Sequence, residues 1–189
     1  LPNLTTINVY NNKLQQLDLS NYNKINSVDV SYNELYSLIL PNSIREVVAN
    51  HNNLTELDLS KYSNLTKIYV NSNKLKNLNL SNSSQLQEID ASDNELESLE
   101  LPTEISGLTT INVGSNKLKQ LNLSAASKLE EIDVHQNKLK RLILPSVAEN
   151  LVRMKISNNE LESLELPTEI PQLTIIYVDN NKLKQLDLS

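Results

Sequence analysis

One spacing governs this sequence. Apolar residues at Leu4, Ile7, Val9, Leu14, Leu17 and Leu19 surround Asn12, and the same frame returns around Asn33, Asn52, Asn73, Asn94, Asn116, Asn137, Asn159 and Asn181. Successive asparagines lie 21, 19, 21, 21, 22, 21, 22 and 22 residues apart. Six apolar slots in nine repeats make 54 positions, and all are Leu, Ile or Val except Ala49, Ala91 and Met154. A fixed period of roughly 20–50 residues marks a stacked-repeat architecture. No such unit buries its apolar face alone, so each repeat must stack on the next. Residues 1–189 therefore form a single repeat domain, numbered here as repeats 1 to 9.

The frame also dictates the shape. Thr6, Ile7, Asn8, Val9 and Tyr10 alternate polar and apolar, the signature of a half-buried strand. Each coil returns in the same direction, so the nine strands must run parallel. Between the sixth slot and the next repeat lie only three to six residues, too few for a helix. The second block, such as Leu17, Asp18 and Leu19, alternates again and predicts a short extended segment on the opposite side. Packed helices would sit ~8–10 Å apart and force strong curvature. Extended segments sit ~4.8 Å apart, so both sides advance at similar rates over an array of about 38 Å. The expectation is a flattened, gently curved, right-handed solenoid with few or no helices. The asparagine column lies between inward-facing slots, where its amides must find backbone partners. The fifth slot of the middle repeat, Leu99, is expected to be buried. The chain opens inside a repeat and stops in register, so it reads as a fragment with both caps missing. Further chain or a partner is expected at each end.

The frame matches L-x-x-L-x-L-x-x-N-x-L over the whole chain, and its second block reads Leu14-Gln-Gln-Leu-Asp-Leu-Ser20. It resembles the leucine-rich repeat family, in particular the short 21-residue bacterial class found in internalin-type surface proteins. The resemblance implies a leucine-rich repeat solenoid with its parallel sheet on the concave face. It also implies an extracellular or cell-surface setting, protein binding and a role in adhesion. Some members carry Cys at the third slot; this chain has Val, Ala or Ile there. A longer period overlies the first. Asn94 to Ile105 and Asn159 to Ile170 are the same twelve residues, 65 apart, as are the near-identical 115–124 and 180–189. A three-repeat duplication is the simplest origin.

Composition removes whole classes of function. There is no Cys, so disulfide, Cys-zinc and thiol chemistry are out. The net charge of −6 argues against nucleic acid, and no apolar run is long enough to insert into a membrane. His51 and His135 stand four repeats apart, about 19 Å at the strand spacing, and cannot share a site. Asp90 and Asp133 are about 10 Å apart on the same basis, beyond the ~6.5–9.5 Å of an inverting carboxylate pair. Gly107 and Gly114 fit no phosphate loop. No catalytic, metal or cofactor site is expected.

What varies is the outward side of the strands. The central row runs Asn8, Asp29, Val48, Tyr69, Asp90, Asn112, Asp133, Lys155, Tyr177. Fixed inward slots beside free outward rows suit recognition. Three candidate zones follow: Tyr10, Tyr32, Lys67 and Tyr69 with His51; an acidic zone including Glu88, Asp90, Asp93, Glu130, Glu131 and Asp133 with His135; and Lys155 and Tyr177 with Arg153. The expected partner is a protein, with a glycan as the alternative ligand. A stiff spacer without a ligand face is the rival reading.

Overall fold

A computed structural model describes residues 1–188. Each repeat contributes one three-residue strand to a nine-stranded parallel sheet, ordered along the chain from Thr6–Asn8 through Lys67–Tyr69 and Thr110–Asn112 to Ile175–Tyr177. Register is fixed by the frame: Ile7 pairs with Val28, Ile68 with Ile89, Ile132 with Met154. A slip of one residue would expose every second slot. Among the described residues no helix forms, so none is long and apolar enough to cross a membrane. The architecture is the solenoid that the repeat frame predicts.

The inward slots make one continuous core. In repeats 2, 3, 4, 6 and 7 all six are buried. Repeats 1 and 9 have a neighbour on one side only, and their slots are mostly half-covered; Leu188 is 67% exposed. Leu99 and Leu101 depart from expectation, being half-buried. On the convex side Ser98–Glu100 pairs with Asn77–Asn79 of repeat 4 and with no strand of repeat 6.

The convex segments pair only in twos: Gln16–Asp18 with Ser37–Ile39, Asn77–Asn79 with Ser98–Glu100, Gln120–Asn122 with Arg141–Ile143. Each pair joins a repeat ending in Leu-Ser to one ending in Leu-Pro. In the Ser form the side chain of Asp18, Asn79 or Asn122 accepts the backbone N–H of Ser20, Ser81 or Ser124 at 2.9–3.0 Å and turns the chain. In the Pro form, buried Pro41, Pro102 and Pro145 start the return. The returns also hold an inward position outside the frame, occupied by Tyr62, Ser83, Ile105, Ala126 and Ala148, all buried. Tyr62 donates its hydroxyl to Leu40 O at 2.8 Å, and Ser83 donates to Tyr62 O at 2.7 Å.

The asparagine column behaves as a ladder. Asn116 Nδ2 donates to Ala91, Val113 and Gly114 carbonyls at 2.9–3.1 Å, while its Oδ1 accepts the N–H of Leu96 at 2.8 Å. One side chain thus staples two repeats. Six of the column are buried; Asn94 and Asn181 are half-buried, and Asn12, with no repeat before it, is exposed. Immediately before each asparagine the chain takes a left-handed turn, at Asn11, Tyr32, His51, Ser72, Asp93, Ser115, Gln136, Asn158 and Asn180, with φ between 52° and 58°. None of these is glycine.

Candidate binding face

Every sequence-predicted site residue lies on the concave sheet or its rim, and the structure sorts them differently from the three zones read in the sequence. At the amino-terminal rim, Tyr10 and Tyr32 meet edge to face with centroids 5.3 Å apart, and Tyr32 stacks on His51 at 4.2 Å. This is an exposed aromatic ridge across three repeats. Two of its members occupy left-handed positions, where a bulky residue is uncommon. Fold economy would favour Asn or Gly there.

Tyr69 does not extend this ridge. Its hydroxyl bonds Glu88, whose other oxygen takes the Lys67 ammonium at 2.6 Å across the neighbouring strand. Lys67, and then Tyr69, hold the Glu88 carboxyl below its usual range; Glu88 raises Lys67 in turn. Burial, with the Glu88 carboxylate beside it, pushes the Tyr69 phenol well above its ordinary value. Tyr69 is therefore a half-buried neutral donor held in a strand-to-strand knot.

The acidic zone and the basic zone are one network. Asp133 takes Lys155 at 3.0 Å and the His135 ring at 2.5 Å, and Glu131 takes Arg153 at 3.5 Å. Register explains this, because Glu131 lies opposite Arg153 and Asp133 opposite Lys155. Burial opposes ionisation of Asp133, but the hydrogen bonds from His135 and Lys155 outweigh it and hold the carboxyl below the usual range. Asp90 is capped within its own repeat by the N–H and hydroxyl of Ser92 at 3.0 and 2.7 Å. Three of the six carboxylates of the acidic zone, Glu88, Glu131 and Asp133, are thus paired with cations of adjacent repeats. Tyr177 stays apart, 51% exposed on the last strand.

One residue of the face escapes sequence reasoning. His135 lies over Gly114, where an added Cβ would come within 2.4 Å of the imidazole. The glycine gives the ring its seat beside Asp133; only its location in a row of larger residues hints at this. Chemically the face offers aromatic surface, fixed charge pairs and hydroxyls. Among the described residues no group of three or more His, Asp or Glu is placed to hold a metal ion. A hollow of about 910 Å³ lies elsewhere, between repeats 8 and 9 on the convex side, lined by Pro167, Ile170 and Leu188.

No family model and no curated protein matches the sequence. Solved structures do. The leucine-rich effector protein YopM of Yersinia pestis is 34% identical over 92% of this chain and 49% of its own, with a TM-score of 0.78. YopM of Yersinia enterocolitica is 24% identical over 92% of this chain and 46% of its own, at 0.67. The functional domain of InlJ from Listeria monocytogenes, which includes a cysteine ladder, shares the fold at 21% identity and 0.68, over 98% of this chain and 51% of its own. The chain spans about half the length of these proteins.

Proposed function

We propose that this chain, a leucine-rich repeat protein similar to bacterial proteins of that fold, is a non-enzymatic recognition module that binds a protein through its concave face. The observation that carries the reading is the rim ridge of Tyr10, Tyr32 and His51. Exposed Tyr is enriched among residues that dominate binding energy, and Tyr32 and His51 are kept at left-handed positions that cheaper residues would fill. The compensated network around Asp133 supplies polar complementarity and register beside it. Likeness to an effector and to InlJ supports a secreted or surface setting, and adhesion is the role we favour there.

The test uses the immobilised chain to capture a protein partner, which is then purified for surface plasmon resonance. Tyr32→Ala and Tyr69→Ala are expected to speed dissociation, since interface truncations act mainly on the off-rate. Asp133→Lys with Asp90→Lys is expected to slow association and change its salt dependence. If substitutions at Asp18 and Glu100 on the convex side weaken binding and the concave ones do nothing, the concave reading fails. Binding unmoved by any of them favours the spacer.

A further inference from the structure

The flank that follows the asparagine column carries a second charge pattern. In repeats 4 to 9 it reads Lys74-Leu-Lys76, Glu95-Leu-Glu97, Lys117-Leu-Lys119, Lys138-Leu-Lys140, Glu160-Leu-Glu162 and Lys182-Leu-Lys184. The leucine points inward and the charges outward, so each outward position forms a row across repeats. Opposite charges neighbour each other along most of these rows, and three of them close into ion pairs: Lys117 with Glu95 at 2.8 Å, Lys182 with Glu160 at 3.1 Å, Lys184 with Glu162 at 4.0 Å. The alternation breaks once, where repeats 6 and 7 meet. There Lys117 adjoins Lys138, and Lys119 adjoins Lys140. The duplicated three-repeat unit begins and ends on a Lys pair, and its junction creates a cluster that neither copy holds alone.

Two further observations make the cluster more than a seam. Arg141 stands in the next row, where the other repeats carry Gln, Ser, Glu or Asn. Among the described residues Lys119, Lys138, Lys140 and Arg141 make no ion pair, on a chain whose net charge is −6. Like charges side by side on neighbouring repeats repel one another. Beside them the convex wall is open: no strand of repeat 8 pairs with Arg141–Ile143. The gap is a groove of about 490 Å³ whose lining includes Lys140, Arg141 and Ile143 on one side and Ser163, Glu165 and Leu166 on the other, so its cationic side is that of repeat 7. Volumes of roughly 300–1,000 Å³ are typical of ligand sites.

We propose that this groove and its cationic rim form a second binding site, on the convex flank of repeats 6 to 8, for a short acidic peptide segment of a partner protein. Carboxylates of the segment pair with Lys138, Lys140 and Arg141, and an apolar side chain following them enters between Ile143 and Leu166. A long polyanion fits poorly. The positive zone is two repeats wide and is bounded by Glu95 and Glu97 on one side and Glu160, Glu162 and Glu165 on the other.

Fluorescence anisotropy of a labelled peptide, four acidic residues followed by two leucines, tests this on the whole chain. The peptide binds at low salt and weakens as salt rises. Lys138→Gln with Lys140→Gln is compared with Lys74→Gln with Lys76→Gln, which makes the same change in the same local sequence, three repeats away. The expected outcome is a loss of about tenfold for the first pair and of less than about twofold for the second. Arg141→Gln alone weakens binding, and circular dichroism confirms that all variants fold. Equal losses from the two pairs, or no binding by the unaltered chain, overturn the proposal. So does tighter binding of a heparin fragment or a single-stranded oligonucleotide, which would mark the flank as a polyanion surface. Tyr32→Ala leaves the peptide affinity unchanged, so failure here is separable from failure of the concave reading.

Discussion

Asn116 illustrates how much one residue carries. Its amide satisfies the backbone of two repeats at four points. Asn116→Ala leaves several buried backbone groups without partners, each at a cost of ~1–3 kcal/mol. We expect about 3 kcal/mol by urea unfolding, from the low end of that sum. Asn12→Ala, at the exposed start of the same column, should cost next to nothing. The left-handed residues predict the opposite sign. Gln136 sits at φ 56°, and Gln136→Asn should stabilise the chain by up to about 1 kcal/mol, because Asn tolerates this region better. The asparagine column was legible because it repeats without exception. The turn before it was not, because Asn, Tyr, His, Ser, Asp and Gln all occupy it and no residue type announces the conformation. The buried return positions were hidden for the same reason: Tyr62, Ser83, Ile105 and Ala126 share a place and no chemistry.

Strands and segments differ in how well their neighbours cover them. Leu78, in a convex strand, is 1% exposed, and Leu78→Ala should cost ~2–5 kcal/mol as a buried truncation. Leu99 holds the same slot one repeat on but is only half-buried. Leu99→Ala should cost clearly less than Leu78→Ala, and Glu97→Ala, fully outward, less than about 0.5 kcal/mol. Denaturant midpoints of the three variants order them. The strand pair around Asp133 predicts an acid limb. Its folded-state carboxyl titrates below the unfolded value, so its contribution is fully present above the ordinary ~3.9 and is lost as pH falls through the folded value. Asp133→Asn should therefore lower stability at neutral pH and flatten the decline below that point, followed as the urea midpoint against pH. Charges visible in the sequence as separate acidic and basic zones became one network because register sets them opposite each other across a strand gap. Periodicity alone shows which residues share a row. Which partners close into pairs depends on side-chain reach.

At the scale of the molecule, the frame that fixes the core leaves the outer rows free, and that division carries the functional account. The seven tyrosines allow it to be tested on the chain itself. Tyr10, Tyr32 and Tyr177 belong to the concave face or its rim, with exposures of 50%, 46% and 51%; Tyr36, on the opposite flank, is 52% exposed. Reactivity in the free chain should thus be closely matched among them. Hydroxyl-radical footprinting by mass spectrometry, with and without the captured partner, compares them within one sample. A partner seated on the concave face should protect Tyr10 and Tyr32, extend protection to Tyr177 if it spans the array, and leave Tyr36 as reactive as before. Protection of Tyr36 with Tyr10 and Tyr32 unchanged would contradict the account.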